Sequence, residues 1–262
     1  DETNRKRRYE ETVSPGERFP VSALFHEHTK LSERRMLELR ERIDRAAELP
    51  QPAPKVYPSR PAISLPRARR PLLGPRLDDV LKRRRSVQHH FGAGGKIGAQ
   101  DLGALLELAL GPTGEGARAW PSAGGLYPLE TYVAALAVGG VPSGLHHYDP
   151  VRHELASLGP RPPELERVVF AYGADGEDRW LHAALAIVFT GVFARTQVKY
   201  GERGYRFVLL EAGHAAQNVL LVATSLGLST LPIGGFCEDA LGQLLGLDPE
   251  LESPLYVLLL GA

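Results

Sequence analysis

Eight prolines fall within residues 50–75, PQPAPKVYPSRPAISLPRARRPLLGP. Proline fixes φ, lacks a backbone donor and clashes with a preceding helical turn, so this stretch can be neither a helix nor a central strand. It reads as an extended arm that wraps or links. The arm divides the chain. Before it lies a polar segment with one amphipathic helix; after it lies everything that can build a large core. The expected organisation is a basic N-terminal helix and proline-rich arm over 1–75 and a folded body over 76–262.

Charge follows the same division. Net charge is zero, but residues 1–85 carry 21 Lys and Arg against 13 Asp and Glu, and residues 86–262 carry 10 against 18. A basic segment lying on an acidic body, or on a second subunit, accounts for this. The basic residues alternate with Glu and no aromatic platform accompanies them, so no nucleic-acid interface is expected. The single cysteine, Cys237, excludes an internal disulfide framework and fits a reducing compartment. No apolar signal region stands in DETNRKRRYEE, and the longest apolar run, near 218–236, is broken by polar residues, Gly and Pro. A cytoplasmic chain without a membrane span is expected.

Hydrophobic periodicity then supplies elements. Met36, Leu39, Ile43 and Ala46 share one face of a helix over 32–48, with Ser32 placed to cap it. LDDVLKRRRS and GAQDLGALLELALGP read as helices, the second closed by Gly111 and Pro112. ETYVAALAV, ALAIVFTGVF, LSTLPIGGF and SPLYVLLLGA read as strands, and residues 141–155 as a hairpin. PELERVVFAYG, residues 205–227 and EDALGQLLGL read as helices. Strands and helices mix without a βαβ repeat, which predicts an α+β fold.

Four motifs stand out, each with an ordinary alternative. Arg83, Arg84, Arg85 and Ser86 end a helix; guanidinium forks suit phosphate, but basic residues there also complement the helix dipole. Pro121, Ser122, Ala123, Gly124 and Gly125 form a loop with little side-chain bulk, open to a flat ligand or simply a tight turn. Glu211, His214 and Asn218, with Gln217 beside them, put polar groups on an apolar helix, facing a ligand or a subunit seam. Gly234 and Gly235 follow a strand and can aim amides at an acceptor, or only turn the chain. The pairs His89-His90 and His146-His147 read as neighbours in polar loops, without the spacing of a zinc site. Cys237 reads as a small buried apolar residue.

The order of these motifs carries more than any one of them. Arg-Arg-Ser, Pro-Ser-Ala-Gly-Gly-Leu-Tyr-Pro, Lys-Tyr-Gly-x-Arg-Gly-Tyr-Arg-Phe, Glu-Ala-Gly-His-x-x-Gln-Asn and Gly-Gly-Phe together resemble the flavin-dependent nitroreductase-like superfamily, in its SagB-type branch. That branch includes azoline dehydrogenases, which form thiazoles and oxazoles in peptide natural products. The resemblance spans roughly 77–262 and extends weakly to ALFHEHTKL. It implies a nitroreductase-like FMN-binding fold with a central, mostly antiparallel sheet flanked by helices, and a homodimer holding FMN between subunits. Arg84 and Ser86, with Arg85, match the phosphate-binding segment; Gln88 stands where many relatives carry Arg or Lys. Pro121, Ser122, Ala123 and Gly124 match the loop along the flavin. Gly234 and Gly235 match the turn at the hydride-accepting nitrogen, and Gln217 and Asn218 join the cofactor set.

The resemblance also explains VKYGERGYRF. On the residues alone, Lys199 reads as a solvated charge. In this branch a Lys-Tyr pair, matched by Lys199 and Tyr200, is implicated in azoline oxidation. Aromatising the ring removes one hydrogen as a proton and one as hydride; a lysine beside the cofactor can take the proton and a tyrosine can relay or orient. The implied activity is FMN-dependent oxidation of peptide thiazolines or oxazolines, with electrons passed to oxygen and a cyclodehydratase partner supplying the azoline. A nicotinamide-fed nitro or quinone reductase and a non-catalytic scaffold subunit of a maturation complex are the rival readings.

Overall fold

The computed structural model describes residues 20–49, 52–68, 74–87, 91, 96–114, 116–169 and 183–262. Its centre is a seven-stranded sheet. In chain order the strands are β1 (Ala62–Ser64), β5 (Leu129–Ala135), β7 (Gly144–Asp149), β8 (Glu154–Gly159), β9 (Leu185–Gly191), β10 (Ser229–Ile233) and β11 (Ser253–Gly261). They lie side by side as β1-β8-β7-β5-β9-β11-β10, and every neighbouring pair is antiparallel. The short pairs β2 (Ile97–Gly98) with β6 (Val138–Gly139) and β3 (Pro112–Gly114) with β4 (Ala117–Arg118) stand outside it. The α+β class and the antiparallel sheet are as the sequence implies.

Both faces of the sheet are covered, which is why β5 and β9 are buried at every position. Side chains alternate between two cores. Leu185, Ile187, Phe189, Leu258 and Leu260 meet α4 (Ala99–Leu110) and the long α7 (Arg203–Ser225). Ala186, Val188, Val257 and Leu259 meet α5 (Leu165–Val169) and α8 (Glu238–Leu245) on the other face. Helix α7 is long and apolar enough to cross a bilayer, yet Val208, Ala212, Ala215, Val219 and Ala223 pack into the first core.

The proline-rich arm is laid onto this body. Residues 62–64 add β1 to the edge of the sheet beside β8. Leu65 is buried, and Pro66 crosses α4 so closely that a Cβ on Gly103 would collide with its carbonyl. Lys55 reaches inward: its Nζ donates to Glu252 Oε2 at 2.6 Å and Tyr132 Oη at 2.8 Å. Ahead of the arm, α1 (Pro20–His28) and α2 (Glu33–Ala46) form a helix pair. Ser32 caps α2, accepting from Arg35 N as expected. Thr29, buried between them, holds the pair to the start of α7: its carbonyl accepts from Arg203 and its hydroxyl from Arg206, both at 2.6 Å.

Two sequence expectations are corrected here. His146 and His147 are not loop residues but lie on β7, each only 1% exposed. His147 Nε2 pairs with Glu130 Oε2 at 2.9 Å, and Arg195 Nη1 pairs with Glu130 Oε1 at 2.6 Å. One ring nitrogen of this buried histidine is satisfied by a carboxylate that sequence neighbours do not reveal. Cys237 is exposed, not buried: it occupies the position before α8, where the chain leaves the glycine turn at the surface. His89 and His90 lie outside the described residues.

Candidate functional site at one end of the sheet

The strand registers gather the motifs. Leu129 opens β5 opposite Gly191, which closes β9, and Gly191 lies opposite Ser253, which opens β11. The β7–β8 turn at Pro150 is at this same end, as is Ile233, the last residue of β10. The loop at 119–128, the segment after β9 and the glycine turn after β10 therefore converge at one end of the sheet, although up to about 110 residues separate them in sequence.

Lys199 and Tyr200 come from α6 (Ala194–Tyr200), a helix in a stretch to which the sequence reading assigned no element. Gly201 breaks the two apart, with φ 57°. Both side chains are half-buried and lie against the small-residue loop. A Cβ at Gly124 would stand 2.7 Å from Tyr200 Oη and 2.9 Å from Lys199 Nζ. Gly124 also has φ 66°, a conformation that favours glycine, and a side chain there would displace the Lys199 and Tyr200 ends. The Tyr200 ring packs edge-on to Phe207 at 5.0 Å, and burial pushes its phenol above the ordinary value, so it carries its proton at neutral pH.

The loop is fastened from beneath. Glu211 on α7, 2% exposed, accepts from Trp120 Nε1 at 2.8 Å and from Ser122 Oγ at 2.6 Å. Ser122 Oγ in turn accepts from Tyr127 N at 2.9 Å. Burial raises the Glu211 carboxyl more than the Ser122 and Trp120 bonds and the nearby Arg118 charge lower it. Asn218, two turns further on, donates to the carbonyl of Ala119 at 2.9 Å. Glu211 and Asn218 thus hold the loop, whereas His214 and Gln217 are exposed on another side of α7. The polar stripe read from sequence divides into a buried clamp and a surface. The clamp role was missed because Trp120 and Ser122 lie roughly 90 residues away in the chain.

The remaining motif residues meet at β10. Arg84, half-buried after α3 (Leu77–Arg83), lies 3.5 Å from Ser86 Oγ through Nη1. Ser86 bridges Thr230 on β10, and Val87 N donates to the Thr230 carbonyl at 2.9 Å. The Thr230 hydroxyl is buried without a partner among the described residues. Arg85 folds back onto the carbonyls of Lys82 and Arg84, the helix-end role open to any basic residue there. Gln88 lies outside the described residues. Gly234 and Gly235 are exposed, and among the described residues their amides donate to no backbone carbonyl. The structure therefore brings Lys199, Tyr200, Ser122 and Gly124 together, joins Arg84 and Ser86 through β10 to the glycine turn, and leaves Gln217 apart.

A seven-stranded antiparallel sheet between helical layers, with an arginine–serine pair bridged to its edge strand, defines the class of oxidoreductase to which the chain belongs. The chain belongs to the nitroreductase family, whose profile matches residues 81–262. It is 36% identical over 190 residues to a Methanocaldococcus jannaschii protein that carries the nitroreductase name, covering 71% of this chain and 90% of that one. It is also 29% identical over 173 residues to the microcin B17-processing protein McbC of Escherichia coli, covering 63% of this chain and 62% of McbC. The structure of the E. coli microcin synthetase McbBCD complex with truncated pro-MccB17 bound superposes with a TM-score of 0.62 at 28% identity, over 69% of each chain. The nitroreductase superfamily and an McbC-like relationship follow; neither is particular to the SagB-type branch.

Proposed function

We propose that the protein is an FMN-dependent oxidoreductase that dehydrogenates thiazolines or oxazolines in a peptide to the aromatic azoles, in the manner of the SagB-type branch. The observation that carries this reading is the contact of Lys199 and Tyr200 with Gly124. An amine and a phenol are presented at the loop matched to the flavin, where a simple nitro reductase needs neither. The likeness to McbC, a protein named for processing microcin B17, supports a modified peptide as substrate and a cyclodehydratase as partner.

The residues present fit FMN. Arg84 and Ser86 offer charge-assisted and neutral donors to a phosphate. The Thr230 hydroxyl, buried without a partner among the described residues, adds another beside them. Four residues along β10, roughly 13 Å at about 3.3 Å each, lie Gly234 and Gly235, whose exposed amides donate to no backbone carbonyl among the described residues. A ribityl phosphate can bridge that span. Bound FMN would supply the hydride acceptor. Lys199 Nζ is placed to take the proton from the azoline carbon, and the protonated Tyr200 to orient the ring or pass the proton on. Gly124 lets the ring approach the loop, and Glu211 keeps the loop in place.

The test is direct. Purified protein is incubated with a thiazoline peptide and oxygen, and the two-hydrogen mass loss is followed; reduction of a nitroarene with NADPH is measured in parallel. Azole formation with slow nitroarene turnover is expected. Efficient NADPH-dependent reduction without any change in the azoline would discard this reading for the reductase one.

A further inference from the structure

Arg118 is a partly buried cation held against aromatic rings. Its guanidinium lies over the rings of Trp120 and Tyr127, at 5.4 and 5.0 Å, and its backbone amide donates to Tyr127 Oη at 2.9 Å. Among the described residues the guanidinium itself makes no hydrogen bond or ion pair. Nearby carboxylates are already engaged. Glu130 accepts from His147 and pairs with Arg195; Glu211 accepts from Trp120 and Ser122. An arginine stays charged even where burial lowers its pKa. A partly desolvated fork of donors gains from an acceptor that enters the cavity.

The guanidinium opens on a cavity of about 550 Å³, a size usual for small-molecule sites. Pro52, Pro54, Pro150 and Tyr127 give it flat, apolar walls with few donors, and Gly124 and Gly125 form one side. Arg195 also reaches it, but its charge is matched by Glu130. The Pro150 wall lies at the β7–β8 turn, and β5, β9 and β11 separate β7 from β10. Four strand spacings, roughly 19 Å, thus part this wall from the strand that carries Thr230 and the glycine turn. Gly124 belongs to the cavity wall and has Lys199 and Tyr200 against it. The cavity that holds Arg118 thus shares Gly124 with the amine and phenol.

We propose that this cavity is a substrate subsite in which Arg118 binds a carboxylate through its two-pronged fork, with a flat apolar group packed against Tyr127 and the prolines. The inference deepens the proposed function, and rests on it for the identity of the reacting ring: the preferred azoline peptide would carry a carboxylate close to the heterocycle.

Calorimetric titration of the purified protein with benzoate and with benzamide tests the site apart from the reaction. Benzoate should bind at least about 10-fold more tightly, the scale of one charge-assisted pair. Arg118→Met should abolish the preference; Arg118→Lys, which keeps the charge but not the fork, should weaken it and serves if the methionine variant does not fold. Equal binding of both probes, binding of neither at millimolar concentration, or a preference unchanged in these variants overturns the proposal. On an azoline peptide with a free carboxylate, Arg118→Lys should raise KM with kcat retained, and the amide-capped peptide should remove that difference. Arg118-dependent benzoate binding with no azoline turnover would uphold the site while removing the proposed reaction.

Discussion

At the scale of single residues, the proposed chemistry is concentrated in Lys199. Lys199→Ala should lower azole formation by about 100-fold or more, the usual scale for a lost general base, while keeping FMN, because Arg84, Ser86 and the glycine turn lie on other elements. A yellow, fully active variant would show that Lys199 is a surface charge. Tyr200→Phe should cost less if the phenol orients and as much if it relays. Glu211 gives a pH signature. Its carboxyl is raised by burial, so the folded protein holds that proton above pH 4.5, where the unfolded chain releases it. This contribution to stability therefore falls as pH rises through the window. Glu211→Gln should remove that slope, and urea unfolding of both proteins between pH 5 and pH 7 checks it; parallel curves would contradict the direction. Lys199 and Tyr200 were legible only through motif order. Glu211 was visible as a misplaced polar group, but its partners across the fold were not. Cys237 and the paired histidines misled because burial depends on neighbours that adjacent sequence does not specify.

At the scale of elements, long apolar runs were readable and short or bordered ones were not. β5, β9 and β11 follow from continuous apolar sequence buried on both sides, and α7 from its length and the apolar face it packs into the core. α6 escaped notice because TQVKYGERGYRF has no apolar period to separate it from α7. β1 escaped notice because prolines flank it, though proline is compatible with an edge. Lys55 shows what the arm contributes. It reaches Glu252, which is 5% exposed and also accepts from Tyr132 at 2.9 Å. Lys55→Met would leave that carboxylate short of its counter-charge. A cost of about 3 kcal/mol is expected, the lower end for a broken buried pair, because Lys55 keeps 28% exposure. A shift of the urea midpoint at constant slope would measure it; a change under about 0.5 kcal/mol would mean the arm is only draped on the body.

At the scale of the whole molecule, the proposed homodimer has a candidate face. Leu209, Leu210, Gly213, His214 and Gln217 expose one side of α7, with Leu210 60% exposed. Light scattering should give twice the chain mass at micromolar concentration, and heating should release FMN and not FAD; a flavin-loaded monomer would contradict the assembly. The sheet itself offers no such face. Its β1 edge is three residues long between Pro61 and Pro66, and its β10 edge carries Pro232 and is bridged by Ser86 at Thr230. An edge this short, or interrupted by a residue without an amide hydrogen, is a poor template for another strand. The prolines that keep the arm from becoming a helix thus also guard the sheet against growing from chain to chain into filaments, and they leave self-association to the helices.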